Sequence, residues 1–207
     1  MKNLKLVFIL VFISPLAWAS GGADGITFDA ELGYPSVTIT NPDNTKAGYG
    51  GISLMGRLWA PLYSDGSFST NITAGARYHD LKNSANNGSE IETGNHIGPA
   101  VGLALHFAKI NFGYEYLMMK ARHYYIGDIG KKTEFDYSAT SLYGGARIRF
   151  GVISFGLSYS YTTGAIAKSE TGLSRDSNYT DQTVWLQVTY QTDTSLGEIA
   201  GNLAKEK

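Results

Sequence analysis

The residues with chemical potential in this sequence are isolated charges within segments of small and apolar residues. Each lies on the polar side of a stretch in which apolar and polar residues alternate. In a narrow interior, carboxylates and guanidinium groups would pair, because an unpaired buried charge is very costly. Such pairs would either plug the interior or form a charged constriction that gates it. The predicted charge network consists of Asp29, Glu31, Arg57, Arg77, Glu115, Arg147 and Arg149.

Two pairs within this network follow from the order of the segments that carry them. Asp29 and Arg57 lie at similar heights on the first two segments, and Glu115 and Arg147 lie on two later, consecutive segments. Consecutive antiparallel strands are usually neighbours. We therefore expect Glu115 and Arg147 to be partners, with the stagger of the strands closing the offset between them.

A hydrolase would be built from histidine, serine and a carboxylate, and the chain has four histidines. His79 and His106 fall on inward faces at opposite ends, so they cannot share a site, and we place His96 and His123 in loops. His79 with Asp80, near a rim, is the nearest approach to a catalytic arrangement, and a polar rim histidine explains it better. The sequence therefore predicts neither catalysis nor a cofactor.

No metal centre is expected either. The sequence has no cysteine, which excludes thiolate ligands, disulfides and the acylated cysteine of a lipoprotein. Asp176, Asn178, Thr180 and Gln182 place oxygen ligands at alternate positions, loosely like a calcium-binding loop. The central glycine and the closing glutamate of such a loop are missing, so a solvated loop entering a strand is the better interpretation.

The elements that position these residues are β-strands, because apolar and polar residues alternate with a period of two along most of the chain. In the first strand, apolar residues alternate with Thr27, Asp29, Glu31 and Gly33. The pattern predicts an all-β fold of eight strands. They are expected at 25–34, 49–60, 67–80, 97–107, 110–120, 135–150, 153–162 and 180–191.

The predicted connections alternate in length. Long polar connections are expected at 35–46, 82–96, 121–134 and 163–179, and short ones at 61–66, 108–109 and 151–152. Short turns at one end and long loops at the other are typical of up-and-down barrels in outer membranes. A membrane-spanning strand needs about 9–11 residues. The 171 residues from 20 to 190 provide about 21 for each strand with its connection, which is enough for eight such strands.

The direction of the polar face separates a membrane barrel from a soluble barrel such as a lipocalin, which shares the alternation. A soluble barrel would carry Lys and Glu on its polar face, but none of the eleven lysines lies there at mid-strand. The polar face instead has small residues, which suit the narrow interior of eight strands. The apolar face is uninterrupted by charge and has aromatic residues in two bands, as at the two interfaces of a membrane. We predict an eight-stranded antiparallel up-and-down transmembrane β-barrel.

In this architecture the chain resembles the small outer-membrane barrels of the OmpA/OmpX type. The resemblance covers residues 25–190 and is one of pattern, without a short motif. It implies a structural or surface-interaction role. A small passive pore is the alternative, and an outer-membrane lipid-modifying hydrolase is the third reading. The family usually ends its last strand on an aromatic residue at the chain terminus, whereas 17 residues follow Tyr190 here, so the assembly signal would be internal.

The chain is predicted to have three parts. Residues 1–19 have the basic start, apolar centre and small-residue cleavage site of a secretory signal peptide, which implies export to a Gram-negative-type outer membrane. Residues 20–190 form the barrel. Residues 191–207 are a periplasmic tail, in which Leu196, Ile199, Ala200 and Leu203 have the spacing of a short helix.

Partners are predicted from charge and from the loops. The formal net charge of −1 gives no reason to expect nucleic acid. Basic residues in the third long loop could bind lipopolysaccharide phosphates, and they are Lys120, Arg122, Lys131 and Lys132. We also expect contact with outer-membrane lipids, an extracellular partner at the long loops, and a monomeric state.

Overall fold

The strands of this protein close into a ring. The computed structural model describes residues 25–65, 68–84, 91–125, 128–169 and 177–192. The strands pair antiparallel in sequence order, and β1 also pairs with β8, which closes the sheet. The predicted eight-stranded up-and-down barrel is confirmed. The strands are β1 (Thr27–Thr40), β2 (Lys46–Ser64), β3 (Phe68–Asn83), β4 (Ile91–Phe107), β5 (Ile110–Tyr125), β6 (Asp128–Phe150), β7 (Ile153–Ser169) and β8 (Asn178–Gln191).

Two predicted parts of the chain lie outside the described residues. They are the signal peptide at 1–19 and the tail from residue 193 onward, so both stay predictions. The last strand, β8, ends at Gln191, which is the end predicted for the eighth strand.

Several strands are longer than the alternation predicted, at the expense of the loops. β1 continues through Pro35 to Thr40, and β6 is 23 residues long. Most of the predicted loops at 35–46, 82–96, 121–134 and 163–179 are therefore strand, and those loop predictions were wrong. The reason is that the backbone groups of these segments pair with neighbouring strands whatever side chains they carry.

We call the end with the short connections the inner end and the opposite end the outer end. The connections at 108–109 and 151–152 are two residues long, and Ala108 and Gly151 adopt positive φ angles of 51° and 65°. At the outer end, Asp43 accepts hydrogen bonds from the backbone and hydroxyl of Thr45, which lower the pKa of the Asp43 carboxyl. The described chain enters and leaves the barrel at its inner end.

The strands are staggered around the ring. Paired residues can be followed from Thr27 on β1 through each strand in turn to Asp181 on β8, whose partner on β1 is Val37. One circuit therefore arrives ten residues further along β1 than it began. Such a stagger requires strands that are tilted against the barrel axis.

Near the inner end, the barrel is apolar outside and polar inside. We call this apolar exterior the belt. Phe107, Phe150 and Phe155 lie near its inner margin, and Tyr34 and Tyr161 near its outer margin, as the two aromatic bands predicted. Large exposed side chains of the belt include Leu32, Leu54, Ile72, Leu103, Tyr116, Leu142, Leu157, Leu186 and Val188.

The polarity reverses towards the outer end. There the outward positions of the same strands carry exposed charges, such as Lys82 on β3 and Lys120 on β5. The inward positions form an apolar core instead. Its outer members include Val37, Ile39, Tyr49, Leu81, Met119, Phe135, Tyr137, Ile166 and Tyr179. The outer part of the barrel is therefore packed like a water-soluble protein, and the inner part is packed in the opposite sense.

Within the described ranges, no helix is long and apolar enough to cross a membrane.

Replacing an apolar outward residue of the belt with a charged residue is expected to destabilise the barrel. Leu54→Arg and Leu157→Arg each place a charge on the belt and should cost about 2–4 kcal/mol in lipid. The matched inward change, Ser158→Ala, should have little effect, because it removes one small hydroxyl. Denaturant titrations of protein folded into lipid vesicles measure the difference, and equal losses for both kinds of change would contradict the assignment of faces.

Candidate functional site in the barrel lumen

The inner half of the lumen is organised around Arg57 on β2. Its Nε donates to Oε1 of Glu115 at 2.6 Å and its Nη2 to Oε2 at 3.1 Å, which forms a two-pronged ion pair across the ring. Its Nη1 donates to Glu31 on the neighbouring strand β1. The guanidinium group also lies 4.3 Å from the ring centre of Tyr143. Because all three charged side chains are buried, the two carboxylates are what makes burial of Arg57 tolerable.

Glycine makes room for this cluster. A Cβ at position 113 on β5 would overlap the ring of Tyr143 on β6. Gly113 therefore allows the tyrosine to lie across the lumen beneath the guanidinium group of Arg57. A second arginine, Arg147, lies nearer the inner mouth, 5.5 Å from the ring of Trp59.

Arg147 is held more loosely than Arg57. Its Nη1 is 3.9 Å from Oδ1 of Asp29, beyond hydrogen-bond range, and its Nη2 is 2.8 Å from Nδ1 of His106. The other oxygen of Asp29 is 4.0 Å from Nη1 of Arg57. Asp29 thus lies between two guanidinium groups without a direct hydrogen bond to either.

Above this cluster, Arg77 on β3 spans the lumen. Its Nη1 donates to Thr162 at 3.0 Å and to Asp181 at 3.4 Å, and its Nη2 donates to Ser141 at 3.4 Å. Asp181 also accepts a hydrogen bond from Thr183 at 2.7 Å. This layer joins β3 to β6, β7 and β8, and all of its members are buried.

The predicted pair of Glu115 and Arg147 is wrong. Ile110 of β5 pairs with Ala146, so β6 extends beyond the start of β5 at the inner end. Glu115 is consequently opposite Ser141, and Arg147 lies below the start of β5. The stagger widens the offset between the two charges instead of closing it, and Glu115 binds Arg57 across the lumen.

The structure places six of the seven predicted network residues inside the lumen, and the exception is Arg149. Asp29, Glu31, Arg57, Arg77, Glu115 and Arg147 are all buried. Arg149 is exposed at the inner rim, where its Nε donates to the carbonyl of Gly151 at 2.6 Å. Its inclusion in the network was wrong, because the last residues of β6 project beyond the neighbouring strand and meet solvent.

Histidine positions also differ from the prediction. His96 and His123 are not in loops, because β4 and β5 continue through them with inward-facing side chains. Nε2 of His96 is 2.8 Å from Nε2 of His123, and its Nδ1 is 2.9 Å from the hydroxyl of Tyr137. Both imidazole rings are buried in the apolar core of the outer half.

His79 lies near a serine and a carboxylate, although not near the one expected. Asp80 faces outward, so it cannot assist His79. Nδ1 of His79 is hydrogen-bonded to the hydroxyl of Ser53, and its Nε2 is 3.8 Å from Asp181. These are the residue types of a hydrolytic triad. The distance from His79 to Asp181 is too long for a hydrogen bond, and the carboxylate of Asp181 already accepts hydrogen bonds from Arg77 and Thr183. The hydroxyl of Ser53 is fully buried, so a substrate could not reach it. The arrangement is suited to filling the lumen.

The predicted lipopolysaccharide contacts lie on the outside of the outer half. Lys120, Arg122 and Lys132 are exposed, and the side chain of Lys131 is outside the described part of the chain. Glu134 accepts hydrogen bonds from Arg122 and from Lys132, both at 2.8 Å. Lys120 and Arg122 line a groove of about 370 Å³, together with Asn95, Ile97, Ala121, Glu134, Phe135 and Asp136.

Among the described residues, no group of three or more histidine and carboxylate side chains could hold a metal ion.

Fold and lumen together define a closed eight-stranded barrel with a network of buried charged side chains in its interior. Similar folds occur in three solved outer-membrane barrels. Ail of Yersinia pestis is 10% identical, covering 81% of this chain and 99% of its own, with a TM-score of 0.45. Neisserial surface protein A is 12% identical, with coverage of 83% and 99% and a TM-score of 0.47. OprG of Pseudomonas aeruginosa is 9% identical, with coverage of 84% and 99% and a TM-score of 0.46.

No protein family and no curated protein matches the sequence. At the identities of the three solved structures, the likeness concerns the fold alone.

Asp181 is the residue of the lumen network that sequence reasoning missed. It lies two residues before Thr183 and shares the inward parity of Thr183, Trp185 and Gln187. Extending the alternation by one step along the last strand would have included it. Its partner Arg77 is on β3, and that pairing depends on which strands face each other across the closed ring.

The pair of Arg57 and Glu115 is expected to be strongly coupled. Arg57→Ala leaves the carboxylates of Glu115 and Glu31 buried without their arginine, and it should cost about 3–5 kcal/mol in unfolding free energy. Glu115→Ala leaves Arg57 buried with Glu31 as its one close carboxylate, and it should cost less than Arg57→Ala. The double variant should cost less than the sum of the two single losses. Chemical denaturation in detergent measures all three.

The exposed pair of Arg122 and Glu134 is the control for this cycle, because water can solvate whichever charge is left. Its single variants should have much smaller effects. Additive losses for Arg57 and Glu115 would reject their coupling.

Proposed function

We propose that this protein is an outer-membrane β-barrel of a Gram-negative-type bacterium with a structural or surface-interaction role and no catalytic activity. The observation that carries the proposal is the reversal of polarity along the barrel wall. A continuous belt of exposed Leu, Val, Ile, Phe and Tyr side chains would be unfavourable in water, and it is what the hydrocarbon layer requires. The signal peptide predicted from residues 1–19 supports export.

The orientation of the barrel in the membrane follows from which end has the short connections. In barrels of this class, short turns lie on the periplasmic side and the longer connections outside. The inner end, with its two-residue turns, would then face the periplasm. The outer half, with charged residues outside and an apolar core inside, would project from the cell surface. There it would bind an extracellular partner. We propose that the protein is a monomer.

Specific proteolysis on intact cells tests this orientation. A protease recognition sequence inserted into the connection at 84–90 should be cleaved from outside. The same sequence inserted at 65–67 should be protected until the outer membrane is permeabilised. Both inserts lie between strands, so each variant can fold, and the reverse pattern would contradict the orientation.

The lumen is proposed to be plugged. Arg77 donates hydrogen bonds to Thr162 and Asp181 through Nη1 and to Ser141 through Nη2, and this buried layer spans the interior. Above it, His96, His123, Tyr137 and the apolar core occupy the outer half. A passive pore remains the alternative reading, and the buried Ser53 beside His79 is the weak basis for a hydrolase.

Single-channel recording separates the plug from the pore. Wild-type protein in planar bilayers should show little conductance. The paired change Arg77→Ser and Asp181→Ser removes two large side chains without leaving an unpaired charge, and it should raise the conductance. The external pair Arg122→Ser and Glu134→Ser is the control and should change nothing. A large, steady wild-type conductance would favour the pore.

The groove lined by Lys120 and Arg122 is proposed to contact lipopolysaccharide. It lies directly above the belt, since Tyr116 and Met118 on the same strand are exposed apolar residues. Lipid phosphates are found at this boundary, and guanidinium and ammonium groups bind phosphate strongly. Glu134 holds Arg122 and Lys132 side by side.

Binding of purified lipopolysaccharide tests the groove. The double variant Lys120→Ala and Arg122→Ala should bind roughly tenfold more weakly in a fluorescence titration in detergent. The double variant Lys46→Ala and Lys82→Ala removes two other exposed charges of the outer half and is the matched control. An equal loss in both would mean that only overall charge matters.

A further inference from the structure

Three of the four histidines are packed together in the core of the outer half. The rings of His96 and His123 are stacked, with centres 5.1 Å apart and planes inclined by 18°. His79 lies edge-on to His96, with the ring centres 6.0 Å apart. His96 and His123 have 0% exposure and His79 has 1%. In the closed barrel, bulk water therefore cannot solvate a charge on any of the three rings.

The hydrogen bond between His96 and His123, which we call the histidine pair, limits the protons that the pair can hold. Nε2 of His96 is 2.8 Å from Nε2 of His123, so one nitrogen donates and the other accepts. One proton fits between them. If both rings were protonated, two N–H groups would face each other at this distance. The closed pair can therefore take up at most one of the two protons that separate, solvated imidazoles would bind.

The surroundings of the three rings offer little compensation for positive charge. The titratable and charged side chains facing them from other strands are Tyr49 on β2, Arg77 on β3, Tyr137 on β6, and Tyr179 and Asp181 on β8. On β1 and β7 the inward residues of this core are the apolar Val37, Ile39 and Ile166.

Asp181 is the carboxylate of that set, and it serves other partners. It lies 3.8 Å from Nε2 of His79 and accepts hydrogen bonds from Arg77 and Thr183. Among the described residues, neither ring of the histidine pair forms an ion pair with a carboxylate. A proton on the pair would consequently be a buried charge without an opposite charge beside it, which is costly.

Burial lowers the pKa of His123 to about 4. Burial also lowers the pKa of His96 well below its ordinary value of 6.5, and the imidazoles of His123 and His79 add to the effect. If the outer half opened, both rings would be solvated and return towards 6.5. Above that pH, neither form is charged. Below it, the open form binds more protons than the closed form, so acid favours opening.

From this arrangement we propose that the histidine pair is an acid-sensitive lock on the outer half of the barrel. In mildly acidic medium the outer parts of β4, β5 and β6 open, while the inner half stays closed. The inner half is held by the ion pairs of Arg57 with Glu31 and Glu115 and by the lipid around the belt. The inference rests on the proposed function in one respect, because the outer half senses the medium only if it faces outward.

Hydrogen exchange of the full mature chain in detergent micelles tests the lock. Protection factors, corrected for the intrinsic effect of pH on exchange, are compared at pH 7 and pH 5. Outer segments at 93–97 and 119–125 should lose protection by at least about tenfold, since the open form binds at least one more proton than the closed form. Inner segments at 101–107 and 110–116 should change by less than about threefold.

A paired variant, His96→Gln with His123→Phe, removes both titrating rings. The glutamine amide can still bond to Tyr137, and the phenylalanine fills the space beside Tyr49 and Phe135. This variant should lose the pH effect in the outer segments. The control is Asp80→Asn, which removes an exposed carboxylate of the outer half and should keep the wild-type response. A smaller loss of protection in the wild type, or an equal loss in the paired variant, would overturn the lock.

Should the paired variant fail to fold, the imidazole NMR signals of the wild type decide. The signals of His96 and His123, assigned through their contacts with Tyr137 and Tyr49, should remain those of neutral rings down to pH 5 in the folded protein. Titration of both near pH 6.5 without loss of fold would reject the lock. Either failure leaves the orientation untouched, because proteolysis on intact cells measures that separately.

Discussion

Closing eight strands into one ring leaves an interior so narrow that inward side chains must contact each other across it, and the rest of the structure depends on this constraint. The lumen contains charged side chains, and each of them needs an opposite charge or a hydrogen-bond partner within the distance that the ring sets. Arg57 is an example of such pairing. It reaches Glu115 across the lumen and Glu31 on the adjacent strand, while its flat face lies over Tyr143. Gly113 provides the space in which that tyrosine lies.

The same alternation of side chains serves two environments along one wall. Near the inner end, outward positions are apolar and inward positions polar, so the wall suits lipid outside and an ion-paired interior. Further out, Lys120 and Arg122 follow Tyr116 and Met118 on the outer face of β5, while the inward positions change from Glu115 to Leu117 and Met119. The backbone pairing continues unchanged through this boundary, because closure of the sheet satisfies the backbone groups in either environment.

Residues of a catalytic kind need not be catalytic in such an interior. Ser53, His79 and Asp181 lie near one another because inward positions of three strands converge at one height, and each is already occupied by a neighbour. His96 and His123 likewise bond to each other and to Tyr137. Nearer the inner mouth, more of the buried polar groups lack a hydrogen-bond partner within the protein.

The sequence by itself determined the strand number, the closed up-and-down fold, the face that each side chain occupies, and the presence of Asp29, Glu31, Arg57, Arg77, Glu115 and Arg147 inside. These follow from the period of two, which is a local property of an extended backbone. Only the tertiary structure decided which charges meet. The stagger of the strands set Glu115 opposite Arg57 rather than Arg147, left Arg149 at the rim, and brought Asp181 to Arg77. It also extended β4 and β5 through His96 and His123, because a neighbouring strand was there to pair with them. Stagger and cross-lumen distance exist only once the ring has closed, and no window of sequence contains them.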